Sequence, residues 1–336
     1  MAFFNNTNSS LLYNSEILTS RNLTCYTTRR NFDHIESMEG IYMVCNIFNT
    51  VLALIAVFAN ALIMLVIWRS PPLYTPSFVL LFNLALSDFG VGALALPPFV
   101  IKKFVEIQLF KIDRGSEAWY SALAIYCKSG LTADVFGTLF AVSSYFFLVA
   151  ISMERCLAIH LHLRYNQIVT IRRTITASVF LWLFATSLVT FRLLLDLRTV
   201  IKVFSFLVLT IVIVIYANVK IAVTLRRHTM QIRSQALPGN FTSVGISKFK
   251  KSMITLCLIF FLFVICYVPF LITAIGYASY VPDYIYLALS AVSTSIVYLN
   301  SALNPMVYCM RIGEIREGVR AAFGIGSRRV ANSCTV

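Results

Sequence analysis

Long apolar runs separated by short polar stretches set the pattern of this chain. Seven runs stand out, at about 41–68, 76–100, 120–153, 173–194, 198–225, 251–276 and 284–309. A bilayer core about 30 Å thick is crossed by about 20 helical residues, so each run predicts a membrane-spanning helix. The two-residue alternation of a membrane barrel strand is absent from them, which argues against an outer-membrane barrel. Beyond the last run, Ile312, Ile315, Val319 and Phe323 recur at helical spacing. That spacing predicts a short amphipathic helix lying on the membrane surface. The expected fold is an all-α membrane protein, a seven-helix bundle with a short eighth helix. Three parts follow: a polar N-terminal tail over 1–40, a seven-helix domain over 41–311, and the amphipathic helix and tail over 312–336.

Composition agrees with that reading. Of 336 residues, 59% are hydrophobic and only 12% charged, too little charge for a soluble domain of this length. The net charge is +14. If the runs alternate across the bilayer with the N-terminus outside, 17 of the 28 Lys and Arg fall on the inner side. The positive-inside rule then gives an outer N-terminus and an inner C-terminus. Sequons at Asn5, Asn8 and Asn22 support an outer, glycosylated tail. Residues 1–10 are polar and lack the apolar core of a signal peptide, so the first run is expected to insert the chain itself. Lys220 to Lys251 holds seven basic residues and no acid. This block suits anionic lipid on the inner leaflet, a protein partner there, or both. Basic charge dispersed over seven-helix loops does not suit nucleic acid.

Polar residues inside the apolar runs carry the chemistry. Asp88 sits within the second run, where a carboxylate costs about 2.5–3.5 kcal/mol to insert. Ser144 lies 11 residues before Arg155, roughly 16 Å up the third helix at about 1.5 Å per residue. Asn300 and Asn304 share one face of the seventh helix, with Ser301 adjacent. Oxygens gathered around one carboxylate suit either a small hard cation or a closed hydrogen-bond network. Glu154-Arg155-Cys156 marks the inner end of the third run. An arginine there either snorkels to headgroups or forms a switch with its acidic neighbour. Cys266-Tyr267-Val268-Pro269 predicts a kink in the sixth helix, and Asn304-Pro305 loosens the seventh above Tyr308. The eight cysteines show no metal-ligand spacing. The four histidines, His34, His160, His162 and His228, fall in the tail or loops, which counts against an intramembrane zinc hydrolase.

Together these motifs resemble the rhodopsin-like G-protein-coupled receptors over residues 41–323. The resemblance implies no cofactor, but a sodium ion held by Asp88, Ser144, Asn300, Ser301 and Asn304 in the inactive state. It implies a resting Glu154–Arg155 pair, with Arg155 turning toward Tyr216 and Tyr308 on activation. Tyr267, Pro269, Asn304 and Pro305 would complete that switch. Asp134, Gly137, Thr138, Ala141, Tyr267, Phe270, Thr294 and Tyr298 would form the floor and walls of a ligand pocket. Asp134 would meet either a basic ligand group or one of Lys128 and Arg192. The implied partners are a heterotrimeric G protein, an extracellular peptide or small molecule of unidentified class, and membrane lipid, at the plasma membrane.

Several positions depart from the common family pattern. Tyr267 stands where tryptophan is usual, and Phe249 where many members carry an acid that pairs with Arg155. Gly137 replaces the aspartate of amine receptors, and the seventh run has no lysine near Tyr298 for retinal. Only about 195–200 remains as a turn between the fourth and fifth runs. No cysteine lies between Cys156 and Cys257, so the usual bridge from the second outer loop cannot form. The melanocortin receptors share this short loop and missing bridge. Cys25 and Cys127 are the two cysteines placed to bond outside instead. The alternative function is a seven-helix ion channel of the chemosensory type, whose inverted topology disagrees with the charge count.

Overall fold

The computed structural model describes residues 39–113, 115–161, 164–194, 241–276 and 283–323. Every regular element among them is helical. Helix α1 spans Glu39–Arg69 and a 3-10 turn at Pro71–Leu73 follows. The second span runs as α2 (Pro76–Gly90), a π turn (Val91–Ala95) and α3 (Leu96–Lys111). Next come α4 (Glu117–Leu161), the short α5 (Tyr165–Ile168) and α6 (Ile171–Leu194). Helices α7 (Phe241–Gly276), α8 (Asp283–Arg311) and α9 (Gly313–Ala322) complete the order.

Five described helices are long and apolar enough to cross a membrane: Glu39–Arg69, Pro76–Lys111, Glu117–Ala158, Ile171–Leu193 and Ile285–Arg311. The sixth expected span lies in α7, whose apolar stretch is Leu258–Thr273. The expected fifth span at 198–225, with Tyr216, lies outside the described residues, as do the turn at 195–200 and Asn5, Asn8, Asn22 and Cys25.

Two spans are longer than their apolar runs. The second was expected to stop near residue 100 and continues to Lys111. Lys102 and Lys103 look like the edge of a membrane segment, yet Lys103 is buried and paired with Glu106 at 2.9 Å. Pro97 and Pro98 would break a regular helix, because neither offers an N–H to the carbonyl four residues back. The π turn just before them absorbs this: the Leu96 N–H bonds to Val91 O, five residues back. The third span was expected over 120–153 and forms the 45-residue α4.

Close helix contact rests on small residues, as expected where lipid removes the hydrophobic drive between helices. A Cβ on Gly92 would meet Ala53 O at 2.9 Å, so α1 and the π turn approach backbone to backbone. Gly318 on α9 lies directly against Val66. Ile315 beside it is fully buried with Ile63 and Val66, which docks α9 onto α1. Among the described residues, helix α7 packs mainly along α8 and only slightly on α4.

Candidate functional site

Three helices meet at Asp88, and a fourth packs beside them. It sits on α2 with no solvent exposure. Its Oδ2 accepts a bond from Asn304 Nδ2 on α8 at 2.7 Å, and its Oδ1 faces Ser144 Oγ on α4 at 3.4 Å. Ser87 Oγ lies 2.7 Å from Ser144 Oγ and donates to Leu84 O. From α1, Asn60 Nδ2 donates to Ser301 O at 3.0 Å and to Ala56 O at 2.9 Å. Each residue expected around Asp88 therefore falls within one buried region, where an unpaired polar group is costly. Asn60 and Ser87 join it although they were not singled out in the sequence.

That region is not fully satisfied. Asn300 Oδ1, Asn304 Oδ1, Asn60 Oδ1 and the Tyr308 hydroxyl are buried without a hydrogen-bond partner among the described residues. A small pocket beside them is lined by Ser144, Asn300, Ser301, Gly137, Ala141, Tyr267 and Tyr298, with Val91 and Val297. It has room for about one water-sized sphere. Residues expected at the ion site and at the ligand floor thus border a single space. Orphaned acceptor oxygens beside a buried carboxylate fit a small hard cation, which takes oxygen ligands.

The remaining residues expected at the ligand pocket go elsewhere. Arg192 Nη2 on α6 lies 2.8 Å from both Asp134 carboxylate oxygens, and Nη1 donates to Thr138 Oγ1. Of the partners weighed for Asp134, the structure brings up Arg192. Thr294 Oγ1 bonds within its own helix to Ser290 O. Phe270 and Thr294 do not line the pocket. Tyr267 stacks on Phe263 with ring centroids 4.2 Å apart, and Phe99 meets Tyr298 edge-on at 5.3 Å.

A second polar group forms toward the C-terminal end of α4. Glu154 is buried, and its Oε1 accepts from Ser77 Oγ at 2.9 Å and from the Tyr165 hydroxyl. Its Oε2 faces Arg155 Nε at 3.2 Å without an aligned hydrogen bond, so the pair is a contact of charges. Tyr165, on the short α5 beyond the span, has its phenol held well above the usual value, first by burial and then by Glu154. It therefore stays a proton donor through the physiological range. Pro269 lies inside α7 and Pro305 inside α8. Tyr308 is fully buried in the largest apolar cluster. Toward the N-terminal end of α4, Cys127 is disulfide-bonded.

A missed tie also aligns the bundle. Trp182 Nε1 on α6 donates to Asn83 Oδ1 on α2 at 2.9 Å, with Phe140 and Phe147 packed on the indole. Nothing in the sequence pairs two residues so far apart. The signals were Asn83, a polar residue in an apolar run, and Trp182, which resembles the family's fourth-helix tryptophan.

Comparison with known proteins places this geometry. The model of the seven-transmembrane receptor (rhodopsin) family matches residues 59–200 and 193–308. Adenosine receptor A2a of Canis lupus familiaris is 24% identical, over 80% of this chain and 69% of its own length. Melanocortin receptor 5 of Ovis aries is 26% identical, over 79% of this chain and 80% of its own. Neuropeptides B/W receptor type 2 of Bos taurus is 26% identical, over 88% and 89%. The chain belongs to the rhodopsin family of seven-transmembrane, G-protein-coupled receptors, and is a multi-pass membrane receptor rather than an enzyme.

Proposed function

We propose that this receptor binds an extracellular ligand above Tyr267 and activates a heterotrimeric G protein through outward movement of the inner half of α7. The observation that carries this reading is the bond from Asn304 to Asp88 at 2.7 Å. It joins the second and seventh spans at the depth of the ligand floor, one helical turn from the buried Tyr308. Support at the inner end comes from Arg155, held beside Glu154. Helix α7 carries Pro269 as a hinge and, among the described residues, leans mainly on α8. A ligand pressing on Tyr267 favours one arrangement of α7 and so shifts the balance between states.

Sodium is the allosteric ion this site suits. Asp88, Ser144, Asn300, Ser301 and Asn304 would hold it, and when bound it supplies the positive charge that balances the buried carboxylate. Those same side chains tie α2, α4 and α8 together in the resting receptor. Arrangements that spread these helices are disfavoured while they converge on one charge.

Relatives named for adenosine, melanocortin and neuropeptides, each near one quarter identical, support an extracellular peptide or small-molecule ligand. The N-terminus is outside, with glycans on Asn5, Asn8 and Asn22, at the plasma membrane. The bonded state of Cys127 supports a bridge to Cys25 that fixes the tail near the pocket mouth. Helix α9 lies on the inner leaflet, with Arg316 and Arg320 toward lipid headgroups. The family assignment takes the place of the chemosensory channel reading.

The test is a second-messenger assay in transfected cells, first without ligand and then with a ligand panel. Agonist binding should weaken when sodium replaces N-methylglucamine, and Asp88→Asn should flatten that dependence. A sodium response unchanged in Asp88→Asn would contradict the ion site.

A further inference from the structure

Arg173 stands in the first turn of α6, where a cation opposes the macrodipole of its own helix. Its side chain serves the neighbouring element instead. Nη1 donates to Ile168 O at 2.8 Å and to Gln167 O at 3.2 Å, the last two carbonyls of α5. A helix of one turn cannot satisfy its last carbonyls itself. The Val169 N–H closes back onto Tyr165 O at 2.8 Å, and Arg173 covers the far end. The start of α6 is itself well fixed. Thr170 Oγ1 accepts the Arg173 N–H at 3.4 Å, Thr174 is buried, and Trp182 ties α6 to Asn83 on α2. One guanidinium thus fastens α5 to an anchored helix.

We propose that Arg173 is a positioning residue of the resting receptor. By holding α5 it aims the Tyr165 hydroxyl at Glu154, and so keeps Glu154 beside Arg155. The inference rests on the reading of Arg155 as the group that carries activation, and adds the residue that sets its restraint. Each link is a contact in the structure: Arg173 to Ile168 O, Tyr165 to Glu154 Oε1, and Glu154 Oε2 to Arg155 Nε at 3.2 Å. Ser77 holds Glu154 from α2 and does not depend on α5. Loss of Arg173 therefore weakens the restraint without abolishing it. Arg172 beside it is also exposed, yet makes no hydrogen bond to α5 among the described residues. It separates the effect of this contact from that of surface charge.

Second-messenger output is plotted against surface receptor number in cells transfected with the full chain, without ligand. Arg173→Glu suits the first turn of α6, where an acid is favoured, and repels the α5 carbonyls. Its slope should rise roughly two- to fivefold over wild type, with the melting temperature of the purified receptor unchanged or higher. Arg173→Ala should move in the same direction, and covers the case in which the glutamate variant does not fold. Arg172→Glu makes the same change of surface charge and should keep the wild-type slope. In a Tyr165→Phe background, Arg173→Glu should add nothing, because the link it acts through is already cut. A wild-type slope in Arg173→Glu, an equal rise in Arg172→Glu, or an undiminished rise in the Tyr165→Phe background overturns the role of Arg173. If Tyr165→Phe itself keeps the wild-type slope, the hold on Glu154 through α5 fails and this inference with it. Output that survives Arg155→Ala would instead contradict the reading of Arg155 on which the inference rests.

Discussion

Tyr165 donates its phenolic proton to Glu154 Oε1, the same oxygen that accepts Ser77 Oγ. The acid beside Arg155 is thus oriented from two sides, by the start of α2 and by the short α5. Arg155 has no described partner other than Glu154, so whatever holds Glu154 also holds the arginine. Tyr165→Phe should loosen Glu154 by about 1.5 kcal/mol and raise ligand-free signalling several-fold. Second-messenger output plotted against surface receptor number reads the change. A slope equal to wild type would show that Ser77 alone suffices.

Lys103 and Glu106 form a buried pair one turn apart on α3, packed against Tyr42 of α1. Their side chains are 8% and 3% exposed, the Tyr42 hydroxyl donates to Glu106 Oε1 at 3.4 Å, and Lys103 Nζ lies 4.3 Å above the Tyr42 ring. Removing one charge strands the other, at a cost of about 3–5 kcal/mol. Lys103→Met should therefore lower the melting temperature sharply. The double variant Lys103→Met with Glu106→Leu should recover most of the loss. Singles and double that melt alike would show that the pair is hydrated rather than sealed.

The Asp134–Arg192 pair should behave differently, because it is partly open, with side chains 46% and 26% exposed. Solvent screening limits its coupling to about 1 kcal/mol or less. A double-mutant cycle on thermal unfolding with Asp134→Ala and Arg192→Ala should return that modest coupling. The exchanged pair, Asp134→Arg with Arg192→Asp, should melt closer to wild type than either single reversal. Strictly additive effects would mean that α4 and α6 are held by packing alone.

Much of the inner site could be read from the chain because polar residues are rare in apolar runs. Asp88, Ser144, Asn300 and Asn304 stood out for that reason, and helical spacing already placed the two asparagines on one face. Glu154 and Arg155 stood out as charges at a membrane edge. The partners of Glu154 were hidden, since Ser77 and Tyr165 look like ordinary residues near turns. Asn60 was hidden because its amide bonds the Ser301 carbonyl, an acceptor every residue carries. The second span runs past its expected end for a physical reason. Lysines signal a helix end only when they reach water, and Lys103 instead finds Glu106. For Asp134 the sequence admits a basic ligand group, Lys128 or Arg192, and the folded geometry brings up Arg192.

In the proposed mechanism Arg155 is the group that carries activation to the G protein. The direct measurement is nucleotide exchange on a purified heterotrimeric G protein, catalysed by receptor in lipid nanodiscs at matched density. Wild type should accelerate exchange above the receptor-free rate even without ligand. Arg155→Ala should fall to that rate while its melting temperature and surface expression stay near wild type. Wild-type acceleration persisting in folded Arg155→Ala would contradict the central claim.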